Sequence, residues 1–323
     1  RKGCDSLGVL EDFLSAVDEW FRGLLAGAIE GCLKTVNSML SGALNNGDDG
    51  GVNSIFNSFL GDPTTFTGST STNDSLTPVW STIETLSNNV IVPIAGFVLM
   101  VIVCYELIHM VVDGNNFKDV DDSIIIRWIL KTFCGILLIS NVFYIATSVF
   151  AFGTSAVNDA LSTLFGTGNF VDDNIINSST FHDTLMAQDK GTLIVTLIIS
   201  FVMIIVTFLL LASIIVVLAS RIIEVFMQLS IAPIPFATFL NKDWADIGRN
   251  WLRNILALAF QGFFIIVALA IFQSLFNNAL VTMISGTSTD VIMTMATLLG
   301  FIIAFIFTMF RTSSISKSAF SAH

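Results

Sequence analysis

The sequence predicts an all-α polytopic membrane protein with about five transmembrane helices and an amphipathic helical N-terminal region outside the membrane. Composition is the first observation: 54% of the 323 residues are hydrophobic, only 12% are charged, and mean hydropathy is +0.80. Soluble domains carry about 25% charged residues, so a large soluble core is a poor explanation. The second observation is a set of apolar runs that reach the roughly 20 residues a helix needs to cross a bilayer.

The N-terminal region, residues 1–87, combines a helical repeat with a linker. Its apolar residues recur at steps of three and four, which predicts an amphipathic helix. They are Leu7, Leu10, Leu14, Val17, Phe21, Leu24, Ala28, Cys32 and Val36. Gly23, Gly27 and Gly31 form a ladder that favours close helix contact within or between subunits; the alternative is an ordinary helix weakened by glycine. Stretches rich in Gly, Asn, Ser, Thr and Pro at 45–51 and 62–78 predict a turn and a linker.

The rest of the chain divides into spans and connectors. The predicted spans are residues 89–112, 128–152, 192–220, 254–285 and 291–310. The predicted regions are therefore a first pair of spans (88–152), an extracytoplasmic connector (153–190), three further spans (191–311) and a short cytoplasmic tail (312–323). We call residues 221–253, between the third and fourth spans, the elbow.

Basic residues decide the expected orientation, because translocating short basic loops is disfavoured. Nine Lys and Arg residues lie in or at the edges of the connector after the first span, the elbow and the tail: Lys118, Arg127, Lys131, Arg221, Lys242, Arg249, Arg253, Arg311 and Lys317. The connectors at 153–190 and 282–290 hold only Lys190. We therefore expect a multi-pass plasma-membrane protein with its N-terminus outside and its C-terminus in the cytoplasm.

Charged residues inside the first two spans are the first candidate site. Glu106 and Lys131 lie at similar depth on antiparallel helices, and we expect them to pair because an unpaired charge in the membrane is costly. Glu106 and His109 also match one half of a di-metal motif that requires two facing copies. The sequence contains neither a second copy nor another metal spacing, and a disulfide between Cys4 and Cys32 is left open.

The elbow is the second candidate site. It combines a polar stripe at the end of one helix with tryptophans and arginines at the start of the next. The residues are Arg221, Glu224, Gln228, Trp244, Arg249, Trp251 and Arg253. Tryptophans and arginines in this position are typical of an interfacial anchor, and the alternatives are a docking surface for a cytoplasmic partner or a positive collar at a pore mouth.

The fourth span has polar residues that suggest a third site. Gln261, Gln273 and Asn277 either line a wet lumen or hydrogen-bond to neighbouring helices within the lipid. No nucleophile–base arrangement or phosphate-binding glycine loop accompanies them in the sequence. We therefore predict a non-enzymatic protein with no cofactor and no metal.

The arrangement resembles the TrbL-type polytopic inner-membrane component of conjugative type IV secretion systems. The likeness lies in the outside helical region, the Asn- and Asp-rich connector, and the motifs Arg221-Ile222-Ile223-Glu224, Ile231-Ala232-Pro233-Ile234-Pro235-Phe236 and Trp251-Leu252-Arg253-Asn254. It implies a ring of subunits, five-fold in the family, at the base of a conduit for DNA–protein or protein substrates. The expected partners are cytoplasmic secretion ATPases, outside stalk or pilus-like proteins, and lipid.

Two other classes remain open at this point. A secondary transporter or ion channel would use Glu106 and Lys131 as a coupling pair, and its signature would be solute flux in proteoliposomes. A structural membrane anchor for another complex would show no such flux.

Overall fold

The structure is a computed structural model that describes residues 2–44, 60, 79–113, 122–164, 171, 178–239, 241–284 and 291–322. These residues form α-helices and no β-strand, which confirms the all-α class. The helices are α1 (Lys2–Leu44), α2 (Val79–Leu86), α3 (Val92–Asp113), α4 (Asp122–Ser140), α5 (Val142–Leu164), α6 (Ser179–Met186), α7 (Lys190–Ser230), α8 (Pro233–Thr238), α9 (Ala245–Ile284) and α10 (Val291–Ala319). A π-helical turn, Ser87–Ile91, joins α2 to α3. The turn and linker predicted at 45–51 and 62–78 lie outside the described residues.

The helices confirm a multi-pass membrane protein. Within the described part of the chain, four helical stretches are long and apolar enough to cross a bilayer. They are Val79–Val112, Lys190–Ser230, Ala245–Met283 and Val291–Ala319. A bent pair, Ile125–Ser140 with Val142–Leu164, supplies a fifth span if its halves cross together. The predicted number of about five therefore agrees with the structure.

The second predicted span, 128–152, is broken rather than continuous. α4 and α5 meet at Asn141 with a bend of 64°. The Asn141 side-chain amide donates a hydrogen bond to the Leu137 carbonyl at 2.8 Å. A side chain that bonds to nearby backbone in this way competes with the regular helical pattern, which accounts for a bend at this residue.

Several helices extend past the limits that hydropathy suggested. α7 continues through Arg221 to Ser230, and α10 continues through Arg311 to Ala319, so neither arginine ends its helix. α5 likewise continues past the predicted boundary at 152 to Leu164. Arginine is a good helix former, and hydropathy marks where a helix leaves lipid rather than where it stops.

The described chain divides into two compact units. Unit 1 comprises Arg1–Asn53, Ser162–Ile215 and Val267–Phe310. Its buried side chains include Ile29 and Leu33 of α1 together with Phe181 of α6. The rings of Phe272 and Phe305 stack with centroids 4.5 Å apart, joining α9 to α10.

Unit 2 comprises Ser54–Leu161, Val216–Ile266 and Arg311–His323. It contains a large cluster of buried apolar residues drawn from α2, α3, α4, α5, α7, α8 and α9. The short helix α8 packs against α3 and α4. Unit 2 therefore contains both the first pair of spans and the whole elbow.

Candidate functional site

The elbow is a packed corner rather than a loose loop. α8 begins with Pro233 at its first position, where a proline ring suits helical geometry and its missing N–H costs nothing. Pro235, Phe236 and Ala237 are buried. Gly248, in the first turns of α9, approaches so closely that an added Cβ would lie 2.7 Å from the Pro235 carbonyl oxygen. The close approach fixes the corner between α8 and α9.

Trp251 is buried on the inner side of this corner. Its indole N–H donates to the Gln228 carbonyl at 3.1 Å, and its ring packs edge-on to Phe236 with centroids 5.2 Å apart. Only 5% of Trp251 is exposed, whereas 43% of Trp244 is exposed. Trp251 is therefore not on the surface, as an interfacial anchor would require. The turn at α8 folds the face of α9 that carries Trp251 onto α7.

Arg221 is also buried, with 3% of its surface exposed. Its Nε donates to the Leu258 carbonyl of α9 at 3.0 Å. An added Cβ on Gly262 would lie 3.0 Å from Val157 and 3.1 Å from Leu60, so this glycine allows close packing beside the arginine. The expectation that Arg221 contributes to a docking surface is contradicted by this burial. A buried guanidinium needs hydrogen-bond acceptors, and the Leu258 carbonyl of the neighbouring helix supplies one.

Glu224 lies one turn further along α7 and contacts the end of the chain. Lys317 Nζ lies 2.5 Å from the Glu224 carboxylate. Beside it, the Ser316 hydroxyl donates to the Ala257 carbonyl, and Phe320 packs against Phe260. The segment predicted as a short tail, 312–323, is therefore largely helix docked on α7 and α9. Sequence reasoning missed this contact because it ended the last helix at Arg311.

The exposed part of the elbow is smaller than predicted. Trp244, Arg249 and Arg253 are exposed, and Arg249 forms an ion pair with Asp246 at 2.7 Å. A groove of about 500 Å³ runs along one face of α7. Its lining residues are Ser220, Ile223, Glu224, Met227, Gln228 and Ile231. Glu224 and Gln228 are half-buried, so they remain accessible from this groove.

The Glu106 and Lys131 side chains are brought together by the antiparallel packing of α3 and α4. Lys131 Nζ donates to the Glu106 carboxylate, and each side chain is about one-third exposed. His109, on the same face as Glu106, lies beside the Tyr105 ring with centroids 6.1 Å apart. Within the described residues, no three His, Cys, Asp or Glu side chains come together as a metal site.

The three polar residues of the fourth span do not form one stripe. Gln261 is buried in unit 2 with 2% exposure, whereas Gln273 and Asn277 are half-buried in unit 1. A helix turns about 100° per residue, so Gln261 and Gln273 point about 120° apart. A lumen and a helix contact both stay predictions for these three residues.

The glycine ladder of α1 faces open space. A Cβ added at Gly23, Gly27 or Gly31 would meet nothing within 4 Å. The contacts that α1 makes inside unit 1 lie elsewhere: Lys190 pairs with Asp18, and His182 Nδ1 lies 2.7 Å from Glu30. The ladder therefore makes no helix contact within the described part of its own chain.

Cys32 of α1 is a free thiol. Cys32 is half-buried, and desolvation by this burial raises the pKa of its thiol. A free Cys32 excludes the disulfide with Cys4 that the sequence left open.

A family model described as "TrbL/VirB6 plasmid conjugal transfer like protein" matches residues 65–233, about half of the chain. The chain belongs to this family. The match covers the first span, the bent pair, the connector, α7 and the start of the elbow, ending at Pro233. A search of curated proteins and a search of solved structures give no match.

Membership of the TrbL/VirB6 family has a direct functional meaning. The family implies a conjugal transfer component of a type IV secretion system, which agrees with the resemblance noted from the elbow motifs. It is a family of transfer-system components and not a known enzyme family.

Proposed function

We propose that this TrbL/VirB6-family protein is a non-enzymatic membrane platform or channel subunit that helps a conjugative machine move DNA–protein or protein substrates across the plasma membrane. The family match supports this proposal, because residues 65–233 include the first span, the bent pair and α7, from which such a platform would be built. Copies of the chain would form a ring, with secretion ATPases inside the cell and stalk or pilus-like proteins outside.

We further propose that the N-terminus is outside, the C-terminus is cytoplasmic and the bent pair α4–α5 crosses as one span. α1 contacts the segment before α7, since Arg22 donates to the Gln188 carbonyl and Asp18 pairs with Lys190. Those two regions must lie on one side of the membrane. An even number of spans must then separate them, and α3 together with the bent pair supplies two.

Single cysteines test this orientation by their reaction with an impermeant maleimide. Asp183→Cys should label in intact cells, and Lys242→Cys and Ser314→Cys should label only after permeabilisation. All three positions are exposed, unlike the buried neighbours Asn241 and Ser316. Labelling of Lys242→Cys in intact cells would overturn the orientation.

The decisive test of function is an in-frame deletion in the host element, scored by mating frequency and complemented in trans. We expect transfer to be lost and then restored by complementation. Changing Arg249 and Arg253 to Gln should reduce transfer without preventing membrane insertion, because both are exposed at the elbow. Normal transfer by the deletion strain would contradict the proposal.

A transporter or ion channel is the second candidate, and the ion pair between Glu106 and Lys131 is the observation that favours it. An ionisable pair inside membrane spans is a common feature of coupled transport. Purified protein in proteoliposomes should then show solute flux that Glu106→Gln abolishes. Absence of flux together with a mating defect would exclude this candidate.

A further inference from the structure

An apolar groove lies in unit 2 beside the point where α5 and α9 cross. Gly153 of α5 approaches α9 so closely that an added Cβ would lie 2.7 Å from the Ala259 carbonyl oxygen. Next to this contact the two helices leave a groove of about 400 Å³. Its lining residues, all of which precede the contact in their own helices, are Tyr144, Ile145, Ser148, Val149, Phe152 and Leu256.

The walls of this groove suit a hydrocarbon chain. The Ser148 hydroxyl donates to the Tyr144 carbonyl of its own helix at 3.0 Å, so it does not require a polar ligand. At the end nearer the crossing, the Phe152 ring packs edge-on against Phe260 with centroids 5.7 Å apart. Phe260 packs in turn against Phe320, with centroids 5.4 Å apart. These rings support one end of the groove, and a chain lying there meets apolar atoms.

Polar groups lie at the opposite end of the groove. The crossing is followed, further along both helices, by a contact between Val157 and Gly262, so α5 and α9 run in the same direction. Tyr144 and Arg253 therefore lie at the same end, roughly 9–14 Å before the crossing at 1.5 Å per residue. Tyr144 is 79% exposed. A tyrosine in this position is typical of the level of lipid headgroups.

Arg253 is the charged group that can bind a ligand at this end. Arg249 forms an ion pair with Asp246, whereas Arg253 is exposed and has no ion-pair partner among the described residues. Arg253 precedes Leu256 by three residues, so the two side chains point about 60° apart on one side of α9. Helical side chains tilt toward the N-terminus, so the guanidinium extends away from the apolar span that follows.

We propose that this groove binds one anionic phospholipid of the plasma membrane. An acyl chain lies along α5 and α9 toward Phe152, and the phosphate is held by the Arg253 guanidinium and the Tyr144 hydroxyl. A guanidinium matches two phosphate oxygens with parallel hydrogen bonds. In the proposed orientation this headgroup lies in the cytoplasmic leaflet, where basic pockets between helices bind anionic headgroups. The site goes beyond the proposed function and is independent of the transferred substrate.

The size and position of the groove favour a lipid over a helix of a partner protein. An α-helix with side chains is about 10–12 Å across, so two of its turns occupy about 1,000 Å³. The groove offers about 400 Å³, which is too little to seat them. The groove also opens at the start of the apolar span that begins near residue 254. Lipid is the surrounding medium at that depth.

Lipid titration of the delipidated full-length protein tests the headgroup contact. Native mass spectrometry compares dioleoylphosphatidylglycerol with dioleoylphosphatidylcholine, which have the same acyl chains and different net charge. The unchanged protein should bind the anionic lipid about tenfold more tightly, the contribution of one charge-assisted hydrogen bond. Arg253→Gln should remove this preference. Lys242→Gln is the charge-matched control and should keep it, since Lys242 is exposed in the elbow but outside the groove.

A second variant tests the acyl-chain contact. Ser148→Trp fills the groove from an exposed position and should weaken the binding of both lipids about tenfold or more. Ile129→Trp is the matched control, because Ile129 is exposed on α4 and does not line the groove. Unchanged binding of both lipids to Ser148→Trp would overturn the groove as the site.

The remaining outcomes concern the identity of the occupant. Equal affinity of the unchanged protein for the two lipids, or a preference that Arg253→Gln retains, would overturn the anionic headgroup. A photo-reactive residue at position 148 that cross-links in host membranes to another protein instead of to lipid would overturn the choice of a lipid. Normal mating by the deletion strain would contradict the proposed function and leave this site intact.

Discussion

The N-terminal helix α1 and the elbow use the same residue types in opposite ways. In α1, Gly27 faces open space and Trp20 is mostly exposed. In the elbow, Gly248 touches the backbone of α8 and Trp251 is buried. Small and aromatic residues in an apolar sequence therefore do not indicate by themselves whether a helix face packs within its chain or awaits a partner.

The arginines of the elbow also differ in burial, although they are the same residue type. Arg221 and Arg253 were grouped in the elbow as part of an interfacial anchor, a docking surface or a pore collar, yet Arg221 is buried against Leu258 and Arg253 is exposed. The difference arises from the turn at α8, which folds α7 against α9. A charge that lies at the helix–helix contact becomes structural, and one on the outer face stays available for a partner.

Glycine substitution should produce the largest effect. Gly248→Val places side-chain atoms where the Pro235 carbonyl oxygen lies 2.7 Å from the Cβ position and the Phe239 ring lies at 3.0 Å. Overpacking of this kind costs about 1–3 kcal/mol or more, so we expect loss of the monodisperse peak in detergent. Gly27→Val is the matched control and should remain folded and monodisperse, because a Cβ at this position meets nothing within 4 Å. Equal stability of the two variants would show that Gly248 and Gly27 do not differ in packing.

Arginine substitution should have the next largest effect. Arg221→Ala removes a buried side chain and a charged hydrogen bond, the latter contributing about 1.5–3 kcal/mol. We expect a clear fall in the detergent melting temperature. Arg253→Ala should change stability by no more than about 0.5 kcal/mol, as for ordinary surface positions. A larger loss for Arg253→Ala than for Arg221→Ala would show that the buried arginine is not structural.

The two ion pairs should give the smallest effects. Glu106→Gln and Lys131→Gln should each lower stability or transfer, and the double variant should recover part of the loss. The coupling energy for residues in contact is about 0.5–3 kcal/mol, and the low end applies here because both side chains are partly exposed. Glu224 and Lys317 provide a parallel cycle that tests the docking of α10 on α7. Additive losses in either cycle would mean that the pair does not act as a unit.

The sequence alone was sufficient for the features that depend on local composition. Apolar runs of the length of a bilayer predicted a multi-pass all-α protein, and the elbow motifs pointed to the TrbL family, as the family match confirms. Spans can be predicted in this way because each helix in lipid must satisfy its own backbone hydrogen bonds. Helix ends were harder to predict from the sequence, since hydropathy does not report where α7 and α10 end.

Only the tertiary structure decided which faces of those helices meet. Burial of Arg221 and Trp251 and the docking of Lys317 on Glu224 depend on contacts between segments distant in sequence. Both lipid and protein interior are apolar, so hydrophobicity cannot distinguish a lipid-facing residue from a packed one. Close approach at Gly248 and open space at Gly27 follow from the path of the backbone, which no local pattern specifies.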